Sequence, residues 1–220
     1  MHSQFTINFH GVGECRRALE VNESAVWITQ ERFRSILAGL VDMPRVRLTF
    51  DDGNESDYEA ALKYILPSKL VSTHFLITDR IGDVGYLSAG QIREMIAAGA
   101  KIGSHGIAHK DWRLLSGEDL AAETHISKDK LEQAFGVEVF EAACPFGSYD
   151  RRVLLSLEDA GYRKIYTSDS PWADHESWLC HRLSVKSEHS AGYVMSEIQR
   201  GPRTLKNALS KLKSAIKARR

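Results

Sequence analysis

Apolar residues in this chain recur in two rhythms. Short β-type runs alternate with longer runs of helical spacing. "FTINFH" (5–10) is the first apolar run, and "VRLTF" (46–50) alternates as a strand. "VSTHFLIT" (71–78), "KIGSH" (101–105), "VEVFEAAC" (137–144), "KIYTS" (164–168) and "HRLSV" (181–185) read as further strands. Between them, "ESDYEAALKYIL" (55–66) reads as a helix stopped by Pro67. "SAGQIREMIAAGA" (88–100) reads as a helix with Ser88 as N-cap and Gly99 as its stop. In "SGEDLAAETHISKDKLEQAFG" (116–136), Ser116 stands three residues before Asp119, a variant of the capping box, and Gly136 closes the helix. "YDRRVLLSLEDAG" (149–161) is the last helix of the series. Strand and helix alternating in this way predict a parallel sheet with helices outside it. Six or so units in one domain suit a barrel-like β/α fold better than an open two-layer sheet.

The 220-residue length fits one domain with a sizeable core. Residues 1–200 are assigned to that domain, and 201–220 to a separate basic helix. The net charge is zero, so the whole molecule makes no electrostatic case for nucleic acid. Residues 201–220 nevertheless carry seven basic residues and no acid; removing those seven from 29 leaves 22 basic against 29 acidic residues. Leu205, Leu209, Leu212 and Ile216 give this tail an apolar stripe. It is expected either to pack on the domain or to touch an anionic membrane surface. Cys15, Cys144 and Cys180 are too few and too scattered for a disulfide framework, and no CxxC pair supports a thiolate zinc site. The start lacks the pattern of a signal peptide, and no run of 18 apolar residues occurs. The expectation is therefore a cytoplasmic protein, peripheral to the inner membrane if the tail makes that contact. Oligomeric state is not legible.

Polar residues collect where the strands end. The strand at 46–50 delivers Asp51 and Asp52 side by side, followed by Gly53, which permits a sharp turn. The strand at 101–105 runs into "SHGIAH", with His105 and His109. The strand at 137–144 runs into "CPFG", and the first apolar run delivers His10. In β/α barrels the working residues sit at these C-terminal strand ends. Two adjacent carboxylates repel, but a divalent cation on one of them offsets the repulsion and leaves its neighbour free as a base. Two neutral imidazoles and one carboxylate make a facial triad with open positions. The competing readings are ordinary: capping acids in a turn, surface or core histidines, and a buried strand histidine at 10. His74, on an apolar strand, is read as a satisfied core histidine.

"TFDDG", then "SHGIAH" about fifty residues on, then "CPFG" resemble the polysaccharide deacetylase family, the carbohydrate esterase group with the NodB-type domain. The resemblance covers roughly residues 5–185. It implies a deformed (β/α) barrel of about seven units and metal-dependent hydrolysis of N-acetyl groups on sugars. By position it implies Asp51 as general base and Asp52, His105 and His109 as metal ligands. Phe146 would offer its backbone N–H to the oxyanion, in a loop stiffened by Pro145. The cation expected is zinc, with iron, cobalt, nickel or manganese also compatible with a His2Asp set.

Two positions and one missing motif depart from the family pattern. Gly106 replaces the Ser or Thr of the usual HSxxH or HTxxH motif. Ala143 stands where RxPY or RxPF members carry the arginine that braces the catalytic aspartate. No late leucine-x-histidine motif supplies an acid. "FHGVG" and "CPFG" instead resemble the circularly permuted branch of exopolysaccharide and poly-N-acetylglucosamine deacetylases, which implies His10 as general acid. Arg182 in "HRLSV" is the candidate replacement for the missing brace. The expected substrate is an N-acetylated sugar in a polysaccharide, oligosaccharide or lipid-linked glycan. The alternatives are a C–N hydrolase of another acylated amine, such as a deformylase or nucleotide-sugar deacylase, and a non-catalytic carbohydrate-binding relative.

Overall fold

The computed structural model describes residues 3–40, 43, 45–169, 172–174, 176–202 and 214–219. Eight parallel strands form its centre: β1 (Ser3–Phe9), β2 (Val46–Phe50), β3 (Ser72–Leu76), β4 (Lys101–Ser104), β5 (Glu141–Ala143), β6 (Lys164–Thr167), β7 (Leu179–His181) and β8 (Leu183–Ser184). Their order in the sheet is β7-β6-β5-β4-β3-β2-β1-β8. β7 pairs with β6 at one end and β8 pairs with β1 at the other. Only Arg182 separates β7 from β8, so one stretch of chain bridges the two edges and nearly closes the sheet into a barrel. The expected single strand at 181–185 is thus two short strands, because the chain must change partner at Arg182. A short strand, Trp172–Asp174, adds to β1 antiparallel at Ser3–Phe5.

The helices are α1 (Gln30–Leu40), α2 (56–68), α3 (Ala89–Ala97), α4 (117–135), α5 (Arg151–Asp159) and α6 (Ala191–Arg200). α2 and α4 each contain a π segment, Ala60–Ile65 and Ala122–Ile126. The boundaries follow local chemistry. Ser88 and Gln91 form a reciprocal capping box on α3. Asp150 caps α5 through Val153 N–H. Ser116 departs from expectation, since its hydroxyl donates to the Asp119 carboxylate at 2.8 Å and does not cap the backbone. β5 is also shorter than the 137–144 run: Val139 N–H donates to Glu132 Oε1 at 2.8 Å, a side-chain bond in place of a ladder bond.

Strand alternation sorts two environments. Phe5, Ile7, Phe9, Val46, Leu48 and Phe50 face α1, α2 and α6 in one apolar cluster. Ile102, Ala142, Cys144 and Ile165 face α3, α4 and α5 in another. The opposite set fills the barrel and is far more polar: Asn8, Arg47, Thr49, Thr73, Glu141, Tyr166 and Arg182 bond among themselves. Gly103 is required there, because a Cβ would lie 2.5 Å from the Phe75 ring.

Residues 203–213, with Leu205, Leu209 and Leu212 of the expected basic helix, lie outside the described residues. Beyond them Ser214 is buried, 2.8 Å from Tyr149 Oη, and Lys217 pairs with Asp169. No helix among the described residues is long and apolar enough to cross a membrane. All three cysteines are free.

Candidate active site

The loops after β1, β2, β4 and β5 converge on a cleft of about 260 Å³ lined by His10, Asp51, Asp52, His105, His109 and Phe146. Asp51 and Asp52 are both buried. Asp52 takes a left-handed φ of 75° and Gly53 one of 69°, so the chain reverses immediately after the pair and the two carboxylates point to different partners.

Asp52 points at the histidines. Its Oδ1 lies 3.5 Å from His105 Nε2 and 3.4 Å from His109 Nε2. One ligand atom from each of the three residues falls within 4.8 Å of the others. Asp52 Oδ1 is buried and has no hydrogen-bond partner among the described residues. An orphaned carboxylate oxygen facing two imidazole nitrogens is the donor set a divalent cation satisfies. His105 Nδ1 lies 2.8 Å from the carbonyl of Ala143, which fixes that nitrogen as the N–H and leaves Nε2 free as a ligand. Burial pushes His105 down to about 4, so the ring is neutral at physiological pH. Ala143, placed by sequence only as a missing arginine, thus orients the His105 ring through its backbone carbonyl.

Asp51 points into the barrel. Arg182 grips it with both arms of the guanidinium, Nη1 to Oδ1 at 2.6 Å and Nη2 to Oδ2 at 2.9 Å. Asn8 Nδ2 donates to Oδ2 at 2.9 Å, and Arg182 Nη1 also donates to Asn8 Oδ1 at 2.9 Å. Burial opposes ionisation of Asp51, but Arg182, His105 and His10 outweigh it and hold the carboxyl well below the usual range. The guanidinium that the family pattern places at residue 143 comes here from Arg182, the residue between β7 and β8. Arg182 stacks over Phe75 and Tyr166, 5.5 and 5.8 Å from the ring centres, and Ala143 packs with those same rings. The small side chain at 143 leaves the interior to Arg182.

His10 Nε2 stands 3.9 Å from Asp51 Oδ2 at the mouth. Phe146 has φ 58° inside the Pro145–Gly147 turn, and its ring lies 4.6 Å from that of His109. His181, on β7, is turned away, with Nδ1 2.7 Å from Thr167 Oγ1. His74 is buried beside Asp57 and Ser72, a core histidine as expected.

A family model described as polysaccharide deacetylase matches residues 40–165. The chain belongs to the polysaccharide deacetylase family. A Bacillus subtilis relative, YxkH, provisionally named a polysaccharide deacetylase, is 27% identical over 171 residues, which are 77% of this chain and 59% of that protein. The chain thus spans well under two thirds of that relative. The Streptococcus pyogenes deacetylase PplD, solved in complex with acetate, shares the fold with a TM-score of 0.77 at 19% identity, over 89% of this chain and 97% of that one. The Bacillus cereus polysaccharide deacetylase BC0361 has the same score and identity, over 89% of this chain and 69% of its own. These deacetylase structures match the nearly closed β/α barrel.

Sequence reasoning missed two contributors to this site. Asn8 sits two residues before His10 on the inward face of β1, so strand alternation alone could have flagged it. Glu123, in the π segment of α4, accepts from Ile107 N–H at 2.6 Å and Ala108 N–H at 3.3 Å. Those amides belong to the loop joining His105 to His109. No motif signals this contact.

Proposed function

We propose that the chain hydrolyses N-acetyl groups on a sugar of a polysaccharide, oligosaccharide or lipid-linked glycan, releasing acetate in a metal-dependent reaction. The observation that carries this is the division of the aspartate pair. Asp52 converges with His105 and His109, while Asp51 is held ionised beside them by Arg182. His10 in "FHGVG" and the "CPFG" turn favour the exopolysaccharide branch of substrates.

A divalent cation held by Asp52, His105 and His109 would supply Lewis acidity toward the acyl carbonyl and water. The protein does the rest. Asp51 takes a proton from the attacking water as the new C–O bond forms and the carbonyl electron pair moves onto oxygen. The Phe146 backbone N–H donates to that oxyanion; one such donor is worth about 3–4 kcal/mol. His10, when protonated, gives its proton to nitrogen as the C–N bond breaks, leaving acetate and a free amine. Arg182 and Asn8 keep Asp51 oriented, and ionised until it takes that proton.

The test is acetate release from N-acetylated oligosaccharides by protein loaded in turn with zinc, cobalt, nickel, iron and manganese. Acetate that appears with metal and stops after chelation supports the assignment. Formate from an N-formyl sugar, without acetate, would replace it with the acylated-amine alternative. Metal uptake without turnover on either would leave a binding protein.

A further inference from the structure

Residues 14–26 supply one wall of the catalytic cleft, which Glu20, Val21, Asn22, Glu23 and Val26 all line. No residue of this segment is buried, and Val21 is 91% exposed. Apolar burial therefore does not hold the wall, and a segment with so few buried contacts belongs to the easily opened part of a fold. Polar ties hold it instead. Ser187 N–H donates to the Ala25 carbonyl at 2.8 Å, and Arg80 pairs with Glu20 at 2.6 Å. The exposed Arg16–Glu55 pair adds little. The most connected tie is Arg17.

Arg17 does not line the cleft, and its side chain is only 9% exposed. On one side it serves the wall. Its guanidinium holds both oxygens of Glu23, with Nη1 2.8 Å from Oε2, and that oxygen also accepts from Glu20 N–H at 2.8 Å. On the other side it serves the aspartate turn, where Nη2 donates to Asn54 Oδ1 at 2.7 Å. Asn54 directly follows the left-handed pair Asp52–Gly53. The guanidinium also lies over Tyr86, 4.5 Å from the ring centre, and a Cβ on Gly85 would meet its stem at 2.8 Å. Tyr86 bridges to Asn54, Leu87 N–H donates to the Gly53 carbonyl at 2.9 Å, and Glu55 N–H donates to the Gly85 carbonyl at 2.9 Å. Arg80, the partner of Glu20, donates to Tyr86 Oη at 2.6 Å. Both charged ties of the wall thus end on the loop that clamps the aspartate turn.

Two consecutive left-handed residues, one of them an aspartate, persist only where their surroundings over-determine them. Arg17 contributes to that constraint through Asn54. Its fork needs Glu23 and Asn54 together, so an outward movement of the wall strands a largely buried charge or pulls on the turn. The wall and the turn therefore share one arginine.

We propose that Arg17 is a positioning residue that couples this wall to the metal-binding aspartate. Acting through Asn54, it holds Asp52 in the pose that faces His105 and His109 while the wall is closed. Occupancy of the Asp52 site steadies the wall in return, since such coupling is reciprocal. This rests on the metal assignment above.

The test is zinc titration and hydrogen exchange on the full chain, without substrate. Arg17→Met keeps the stem and removes the fork, and Asn54→Ala removes the acceptor on the turn. Each is expected to weaken zinc binding by about tenfold, the low end for a residue that orients a metal ligand. Deleting a positive charge would by Coulomb's law alone tighten a cation site, so the sign of the change separates positioning from electrostatics. The double variant should bind zinc about as weakly as either single one, because both cut the same link. In the parent, zinc should slow amide exchange across residues 18–26, and in Arg17→Met that slowing should be lost. Arg17→Lys, which keeps the charge without the fork, should behave as Arg17→Met does and stands in for it if the methionine variant does not fold. Unchanged or tighter zinc binding in a folded single variant, additive losses in the double variant, or slowing by zinc that survives without the fork overturns the coupling. A parent that takes up no zinc removes the metal assignment, and the coupling with it.

Discussion

Glu123 stands in the space that a side chain at residue 106 would need. A Cβ on Gly106 would overlap Glu123 Oε2 and come within 3.1 Å of Trp112 Nε1. The glycine and the carboxylate are therefore one device. The loop between the two histidines has no motif hydroxyl at 106, and Glu123 accepts its amide hydrogens from the neighbouring helix. Gly106 also holds φ at 83°, and His109, three residues on, is left-handed at 55°. Gly106→Ser is expected to cost about 1–3 kcal/mol through overpacking and to weaken zinc binding. Glu123→Ala should cost a similar ~1–3 kcal/mol by stranding the loop amides. The double variant should be more stable than the two losses predict, because the shortened residue makes room for the serine hydroxyl. Denaturation midpoints and zinc titrations on the four proteins measure that coupling; strictly additive losses would sink the pairing.

The brace on Asp51 makes a sharper demand. Breaking a buried ion pair strands a charge, so Arg182→Met should cost about 3–5 kcal/mol. Lysine cannot reproduce the two-armed grip. Arg182→Lys should therefore keep metal uptake but lower kcat by about a hundredfold, the scale of a misplaced catalytic group. Adding Ala143→Arg to Arg182→Ala returns a guanidinium to the place where other members carry it, and should recover part of the turnover. Full activity in Arg182→Lys would show that Asp51 needs no fork.

These two devices also mark how far the sequence could be read. Asp51–Gly53 and His105–His109 were legible because each is local: a strand end, a turn and a polar pair within five residues. Arg182 was found only through the gap at Ala143, since its contact with Asp51 spans 131 residues. Glu123 was not found. It sits in a π segment, where the extra residue per turn shifts every later side chain off the 3.6-residue phase used to assign helix faces. The break between β7 and β8 left no trace in "HRLSV", because barrel closure is a property of the whole sheet.

His74 and Asp57 bury a titratable pair, with His74 Nδ1 3.5 Å from Asp57 Oδ2 and neither side chain exposed. Burial lowers His74 to about 3. Burial, with Asp52 and Asp51 nearby, raises Asp57 well above the usual carboxylate range. The folded pair thus holds one proton, on Asp57. The unfolded chain holds two below about pH 4, one between about pH 4 and 6.5, and none above. The pair's contribution is therefore flat across that middle window and falls on either side. His74→Phe keeps an aromatic ring against Phe50, on which His74 now stacks. It removes the histidine proton from the unfolded chain, so the alkaline-side loss should begin near pH 4 and not near 6.5. Relative to the parent, the variant should lose up to about 1.4 kcal/mol per pH unit across that window. Denaturant titrations at several pH values check this; a parent–variant difference that stays constant from pH 4 to 6.5 would refute the shared proton.

His10 separates two roles that a simple loss of activity would confuse. An amide nitrogen leaves poorly unless protonated, whereas the phenolate of an activated aryl ester leaves unaided. His10 lies near Asp51 but outside the Asp52, His105 and His109 cluster. His10→Ala should therefore retain metal and lose about 10²–10⁴-fold in kcat on N-acetyl sugars, the usual worth of a positioned acid. On 4-nitrophenyl acetate the same variant should lose far less, because that leaving group needs no proton. Asp52→Ala should lose metal and both activities together. Parallel assays with the two substrates, alongside metal content, give the comparison. An equal loss on amide and ester in His10→Ala would assign the residue to binding or orientation in place of proton donation.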